Sequence, residues 1–164
     1  AYSPKTGWFY STGNEWCNIL RARPEEPRPG EVFMGGEAEA RPPPDGKPSA
    51  HLGAYDPITG KRQWIYRPKY PLADSQLVTG SNLLFTGDYE GRFNAFDATT
   101  GKKLWSFRTG AAHRAGPITY AVDGRQYVAA PSGSSGASMA ALWPELKDSP
   151  AGSTLFVFAL PESK

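Results

Sequence analysis

The sequence is short of the residues that build metal and nucleophile sites. Cys17 is its one cysteine, so no disulfide can form within the chain. Its two histidines, His51 and His113, stand far apart, and no HExxH, CxxC or CxxCH spacing occurs. That excludes the common zinc signatures and a c-type haem attached covalently to this chain. A GxxxxGK[ST] phosphate loop is also absent. Charge nearly balances, at +2 net, which excludes the basic footprint of a nucleic-acid binder. The longest apolar run near the end, Leu155–Leu160, is far too short to span a bilayer. Neither an initiator Met nor a charged-then-apolar leader opens the sequence, which predicts a chain that starts after processing or is cut from something longer.

Turns and aromatics are plentiful instead. Eighteen Gly and 16 Pro imply many chain reversals, and five Trp with eight each of Tyr and Phe suit strands more than helices. The organising feature is an internal repeat. Ala54-Tyr55-Asp56-Pro57-Ile58-Thr59-Gly60-Lys61-Arg62-Gln63-Trp64 recurs as Ala95-Phe96-Asp97-Ala98-Thr99-Thr100-Gly101-Lys102-Lys103-Leu104-Trp105, its Asp residues 41 positions apart. Each part has a physical job. An aromatic ends one strand, the Asp accepts backbone N–H bonds to close a turn, and the Gly supplies φ > 0. The Trp then sits on the returning strand with too much apolar area to leave in water, so it should lodge between neighbouring sheets. A period near 40 with four short strands per unit is the spacing of a propeller blade, and one blade cannot bury its own apolar face.

Taken in order, Trp8-Phe9-Tyr10 begins a strand after a turn at Ser3–Gly7, with almost no strand before it. Asn14 and Trp16, flanking Glu15, are site candidates: an Asn amide offers a donor and an acceptor, and a Trp face can cover a flat ligand. The plain alternative is a turn Asn beside a core Trp. Residues 21–49 hold seven prolines among charges and are predicted as an extended surface excursion between two strands. One complete four-stranded blade is predicted over 74–108, containing the apolar run Leu83-Leu84-Phe85. A last partial blade follows over 109–164, with Asp123-Gly124 turning a hairpin between Pro117–Val122 and Gln126–Ala130. Met139–Leu146 is predicted as a short helical turn. His113 and Arg114 read as a loop pair on the rim, with anion binding the alternative. A Ser134 or Ser135 nucleophile paired with His113 is disfavoured, because the Ser/Gly run is better explained as a loop.

The motif Ala-x-Asp-x-x-Thr-Gly-Lys-x-x-Trp resembles the tryptophan-docking motif of the quinoprotein alcohol dehydrogenases, which use pyrroloquinoline quinone (PQQ). The resemblance extends to Tyr2–Gly7 with Phe9-Tyr10, to Asn14-Glu15-Trp16-Cys17, to Pro117-Ile118-Thr119-Tyr120 and to Pro131-Ser132-Gly133. It looks like the C-terminal part of such an enzyme. The fold expected is all-β: about three blades of an eight-bladed propeller, the 164 residues forming one C-terminal segment of it. The resemblance implies PQQ with a Ca²⁺ or lanthanide ion on the propeller axis, and oxidation of a small primary alcohol to an aldehyde in the periplasm. It further implies electrons passing to a cytochrome c, and is compatible with a homodimer of the whole enzyme. Asn14 matches an Asn that contacts PQQ, Trp16 follows as a wall of the pocket, and Ala137 falls where backbone N–H groups approach the cofactor. The metal ligands and the catalytic Asp are implied to lie upstream, so this chain is expected to supply no catalytic residue and no metal ligand, and to be inactive alone. It departs from the family at Leu72-Ala73-Asp74-Ser75, where simpler members carry a Trp. Ser134-Ser135-Gly136 also lacks an aromatic found in some members. The rival reading is a non-catalytic propeller of the same superfamily serving as a binding or assembly scaffold.

Overall fold

The computed structural model describes residues 1–31, 33–44 and 46–161; the predicted end of the last blade, at 164, lies outside them. Its strands form three consecutive antiparallel sheets and one side hairpin. The first sheet orders β1 (Tyr2–Ser3), β2 (Trp8–Glu15), β5 (Ser49–Tyr55) and β6 (Arg62–Tyr66). The middle sheet orders β7 (Leu77–Val78), β8 (Leu83–Gly87), β9 (Arg92–Asp97) and β10 (Lys103–Arg108). The third holds β11 (Ile118–Val122), β12 (Arg125–Ser132) and β13 (Thr154–Ala159). Two four-stranded blades are therefore present, where the sequence predicted one. A two-residue β1 suffices to complete the first.

The repeat folds the same way twice. Asp56 Oδ1 accepts from the N–H groups of Ile58 and Thr59 at 2.8 and 3.1 Å, and Asp97 Oδ1 from those of Thr99 and Thr100 at 2.8 and 2.9 Å. Gly60 and Gly101 follow at φ +70° and +72°, as the turn demands. The ladder then shifts register, between Ala54 and Tyr55 in one blade and between Lys103 and Trp105 in the other. Such a bulge re-aims the next side chain. Trp64 thereby reaches the middle sheet: its Nε1–H donates to the Ala98 carbonyl at 2.9 Å, and its ring covers Gly101. The predicted inter-sheet docking is realised there. Trp105 meets Phe93 and Phe158 edge-on and stays 40% exposed. The third sheet has no fourth strand among the described residues.

Pleat alternation explains the core. On one face of the middle sheet, Leu84 and Phe96 pack with Tyr10, Leu52 and Ala54 of the first sheet. On the other, Phe85 and Phe93 pack with Val128, Ala130 and Phe158 of the third. The inner strands of the middle sheet are thus covered on both sides, which is why Leu83-Leu84-Phe85 reads as a continuous apolar run. The outer faces are bare: Tyr2 and Phe9 on the first sheet, and Ile118, Tyr120, Leu155 and Val157 on the third, are all exposed. Asp123-Gly124 turns the β11–β12 hairpin with φ of +50° and +77°, the type I′ geometry that matches strand twist.

The proline-rich stretch differs from its prediction. β3 (Cys17–Ala22) and β4 (Gly36–Arg41) pair as a hairpin that stands out from the sheets. All the prolines fall outside those strands, at 24, 27 and 29 in the connection and from 42 to 48 beyond it, where no ladder N–H is needed. Arg21–Glu39 and Arg23–Glu37 bridge the strands. Such exposed pairs contribute at most about 1 kcal/mol each. The predicted helical turn resolves into two 3₁₀ turns, Gly136–Met139 and Pro144–Leu146.

Candidate functional site

The site candidates gather at one end of the sheets, where the first and middle sheets meet the loop after β12. Asn14 lies on the β2 face that carries Tyr10 and Thr12 toward the middle sheet. Its Nδ2 donates to the Leu72 carbonyl at 3.0 Å, and its Oδ1 accepts from the Leu72 N–H at 3.3 Å. The amide is thereby held like one rung of a ladder. One N–H and one oxygen lone pair remain for another group. Trp16 is half-buried and meets Trp143 edge-on, with ring centroids 6.1 Å apart. It packs against a cluster of Tyr70, Tyr89, Leu142 and Trp143, joined by Met139 from the first 3₁₀ turn. Ala137 begins that turn's interior and is exposed, but its N–H is already bonded to Ser135 Oγ at 3.1 Å. Structure thus places Trp16 beside the turn that carries Ala137, and Asn14 against the Leu72 segment that connects β6 to β7.

Beneath these groups lie buried polar side chains that the sequence did not single out. Asp74 is 3% exposed, and its Oδ2 accepts the Gly87 N–H at 2.9 Å. Burial pushes its carboxyl pKa up to about 7, against the pull of the Gly87 and Ser75 N–H groups. Burial also raises Asp88, which the Arg92 N–H and the Asn94 amide partly offset. The only signal available was a charged residue beside an apolar segment, which strand periodicity assigns to solvent.

His113 corrects its sequence reading. It is fully buried, stacked 5.6 Å from the Phe93 ring, and its Nε2 lies 2.8 Å from Thr109 Oγ1. Gly87 makes the room, since a Cβ there would come within 2.2 Å of the imidazole. Desolvation lowers its pKa, offset in part by the Pro131 carbonyl. It is a packing residue between two sheets, and among the described residues no hydrogen bond joins it to Ser134 or Ser135. Arg114 alone of the predicted pair is exposed.

On the opposite face of β2, Glu15 accepts a short bond from Ser49 Oγ, lies 3.1 Å from His51 Nδ1 and is 3.9 Å from Arg67. Those partners hold its carboxyl below the usual range, Ser49 contributing most. This group points away from Asn14. Among the described residues, no three His, Cys, Asp or Glu side chains are grouped to hold a metal ion.

Residues 70–128 match the family described as the glucose/ethanol/alcohol dehydrogenase β-propeller domain. Over 99% of its length the chain is 36% identical to quinoprotein alcohol dehydrogenase PedH of Pseudomonas putida, covering 28% of that protein. Over 78% of its length it is 35% identical to the 1-butanol dehydrogenase (cytochrome c) of Thauera butanivorans, covering 20% of it. The solved structure of a europium-containing methanol dehydrogenase superposes with a TM-score of 0.79 at 29% identity, over 98% of this chain and 32% of that one. The chain therefore spans about a quarter of the length of the curated relatives it matches.

Proposed function

We propose, for a chain that belongs to the quinoprotein alcohol dehydrogenase family, a part in a larger propeller that oxidises primary alcohols to aldehydes with PQQ and a Ca²⁺ or lanthanide ion. The observation that carries this reading is the pair of bare apolar sheet faces on a chain similar end to end to one portion of such enzymes. Exposed strand faces of this size need covering. The remaining polypeptide of the propeller is the natural cover, on both sides. The chain's own residues fit a flat, acidic, carbonyl-bearing cofactor at the Asn14 end. Asn14 has one donor and one acceptor uncommitted in a fixed orientation, and the Trp16 ring stands beside it. Ala137 contributes backbone shape more than a donor, since Ser135 occupies its N–H.

PQQ, when bound, supplies a two-electron acceptor for the alcohol. On this reading the metal ligands and the base belong to polypeptide beyond this chain, and the electrons pass to a cytochrome c in the periplasm. This chain orients the cofactor and excludes water from one side of it. The test is a titration of the full-length polypeptide with PQQ and Ca²⁺ or a lanthanide, followed by cofactor absorbance and alcohol-dependent reduction of a cytochrome c. A full-length protein that binds no PQQ under either metal refutes the reading in favour of the scaffold role.

A further inference from the structure

Resting on the reading that the Asn14 end receives the cofactor, we propose that Asp74 is a positioning residue for that site: it anchors the segment 70–76, whose Leu72 backbone fixes the orientation of the Asn14 amide. β7 is only two residues long, so the sheet's inner edge runs out before β8 does. The Gly87 N–H at the end of β8 faces that gap, and the Asp74 carboxylate stands in for the missing strand carbonyl at 2.9 Å. The same segment is stitched to both sheets. The Tyr89 N–H donates to the Pro71 carbonyl at 3.3 Å, and Gln76 Nε2 donates to the Asp74 carbonyl at 2.8 Å and to Thr12 Oγ1 at 3.4 Å. Between those stitches the Leu72 peptide presents its N–H and carbonyl together to Asn14.

An Asn amide is nearly symmetric in shape, so its flip state depends on what it bonds. Leu72 removes that freedom, and the uncommitted N–H and lone pair take fixed directions. Misaiming them costs a ligand both bonds at once. A carboxyl buried to 3% exposure is also an expensive way to cap a strand. Side chains that break a local rule in this way gather where function compensates.

The experiment is a double-mutant cycle on PQQ affinity in the full-length polypeptide, read by titration of the cofactor's absorbance well below the melting temperature. Asn14→Ala and Asp74→Ala should each weaken binding about tenfold, and the double variant should bind no more weakly than Asn14→Ala alone. Asp74→Asn, which keeps an oxygen for Gly87, should restore affinity. Gln76→Leu cuts the strap's bonds to Thr12 and to the Asp74 carbonyl but leaves the Asp74 carboxylate's bond to Gly87, and should show the same non-additivity; it serves if Asp74→Ala fails to fold. Losses that multiply in the double variant, or an Asp74→Ala protein that binds PQQ normally, overturn the positioning role while leaving the proposed cofactor site intact. An Asn14→Ala protein with unchanged affinity removes the site assignment itself, and the positioning role with it.

Discussion

Substituting Ala at Gly60 and at Gly101 separates the turn from the docking. Both glycines occupy the same turn position, at φ +70° and +72°, so both variants bear the same left-handed backbone penalty of about 1–2 kcal/mol. Their surroundings differ. A Cβ on Gly60 meets nothing within 4 Å, whereas one on Gly101 comes within 2.6 Å of the Trp64 ring. The indole cannot yield freely, because its Nε1–H is tied to Ala98 on the same corner and Tyr10 lies 6.0 Å away on the other side. Forcing it off costs a further roughly 1–3 kcal/mol, as overpacking does elsewhere. Urea unfolding of this chain, followed by far-UV circular dichroism, should therefore rank wild type above Gly60→Ala and Gly60→Ala above Gly101→Ala. In a Trp64→Ala background the gap between the two should close, since the clash has lost its partner. Equal destabilisation of the two variants in the wild-type background refutes the docking argument. In the full-length propeller the Gly60 corner should receive a Trp from the neighbouring blade, and the gap should narrow there as well.

Three further outcomes follow from the same structure. Asp74 has a folded-state pKa of about 7 against an ordinary 3.8, so the folded chain holds a proton that the unfolded chain releases; Asp74's own contribution to stability should be fully present below about pH 4 and be lost, by on the order of 4 kcal/mol, as pH rises to about 7. Asp74→Asn should flatten that window in urea melts taken at stepped pH, and an unchanged slope refutes the assignment. The His113 pKa is lowered by burial, so its contribution is complete above the ordinary histidine value and lost as pH falls through the lower folded one; His113→Leu should remove that acid sensitivity in the same melts. Trp64→Phe keeps most of the ring but drops the bond to Ala98, and should cost about 1 kcal/mol with a loss of near-UV dichroism.

What the sequence determined by itself was the repeat and its consequences. Asp56 and Asp97 close their turns through short-range hydrogen bonds, and Gly60 and Gly101 supply a backbone angle few other residues tolerate. Those forces act within six residues, so they can be read without knowing the fold, and they carried the hairpin turns and the place of Trp64. Asn14 and Trp16 were legible as residue types, but the Leu72 partner of Asn14 lies 58 positions away. Only the packing of two sheets brings such groups together. His113 looked like a rim residue because its neighbours are small and Arg114 is charged; the room it occupies exists because Gly87, on β8, lacks a side chain. The hairpin of β3 and β4 was hidden by prolines that flank its strands without entering them. Asp74 was invisible for the same reason as His113: a carboxyl is assumed to face water until the surrounding chain is seen to close over it, and that closure belongs to the tertiary structure alone.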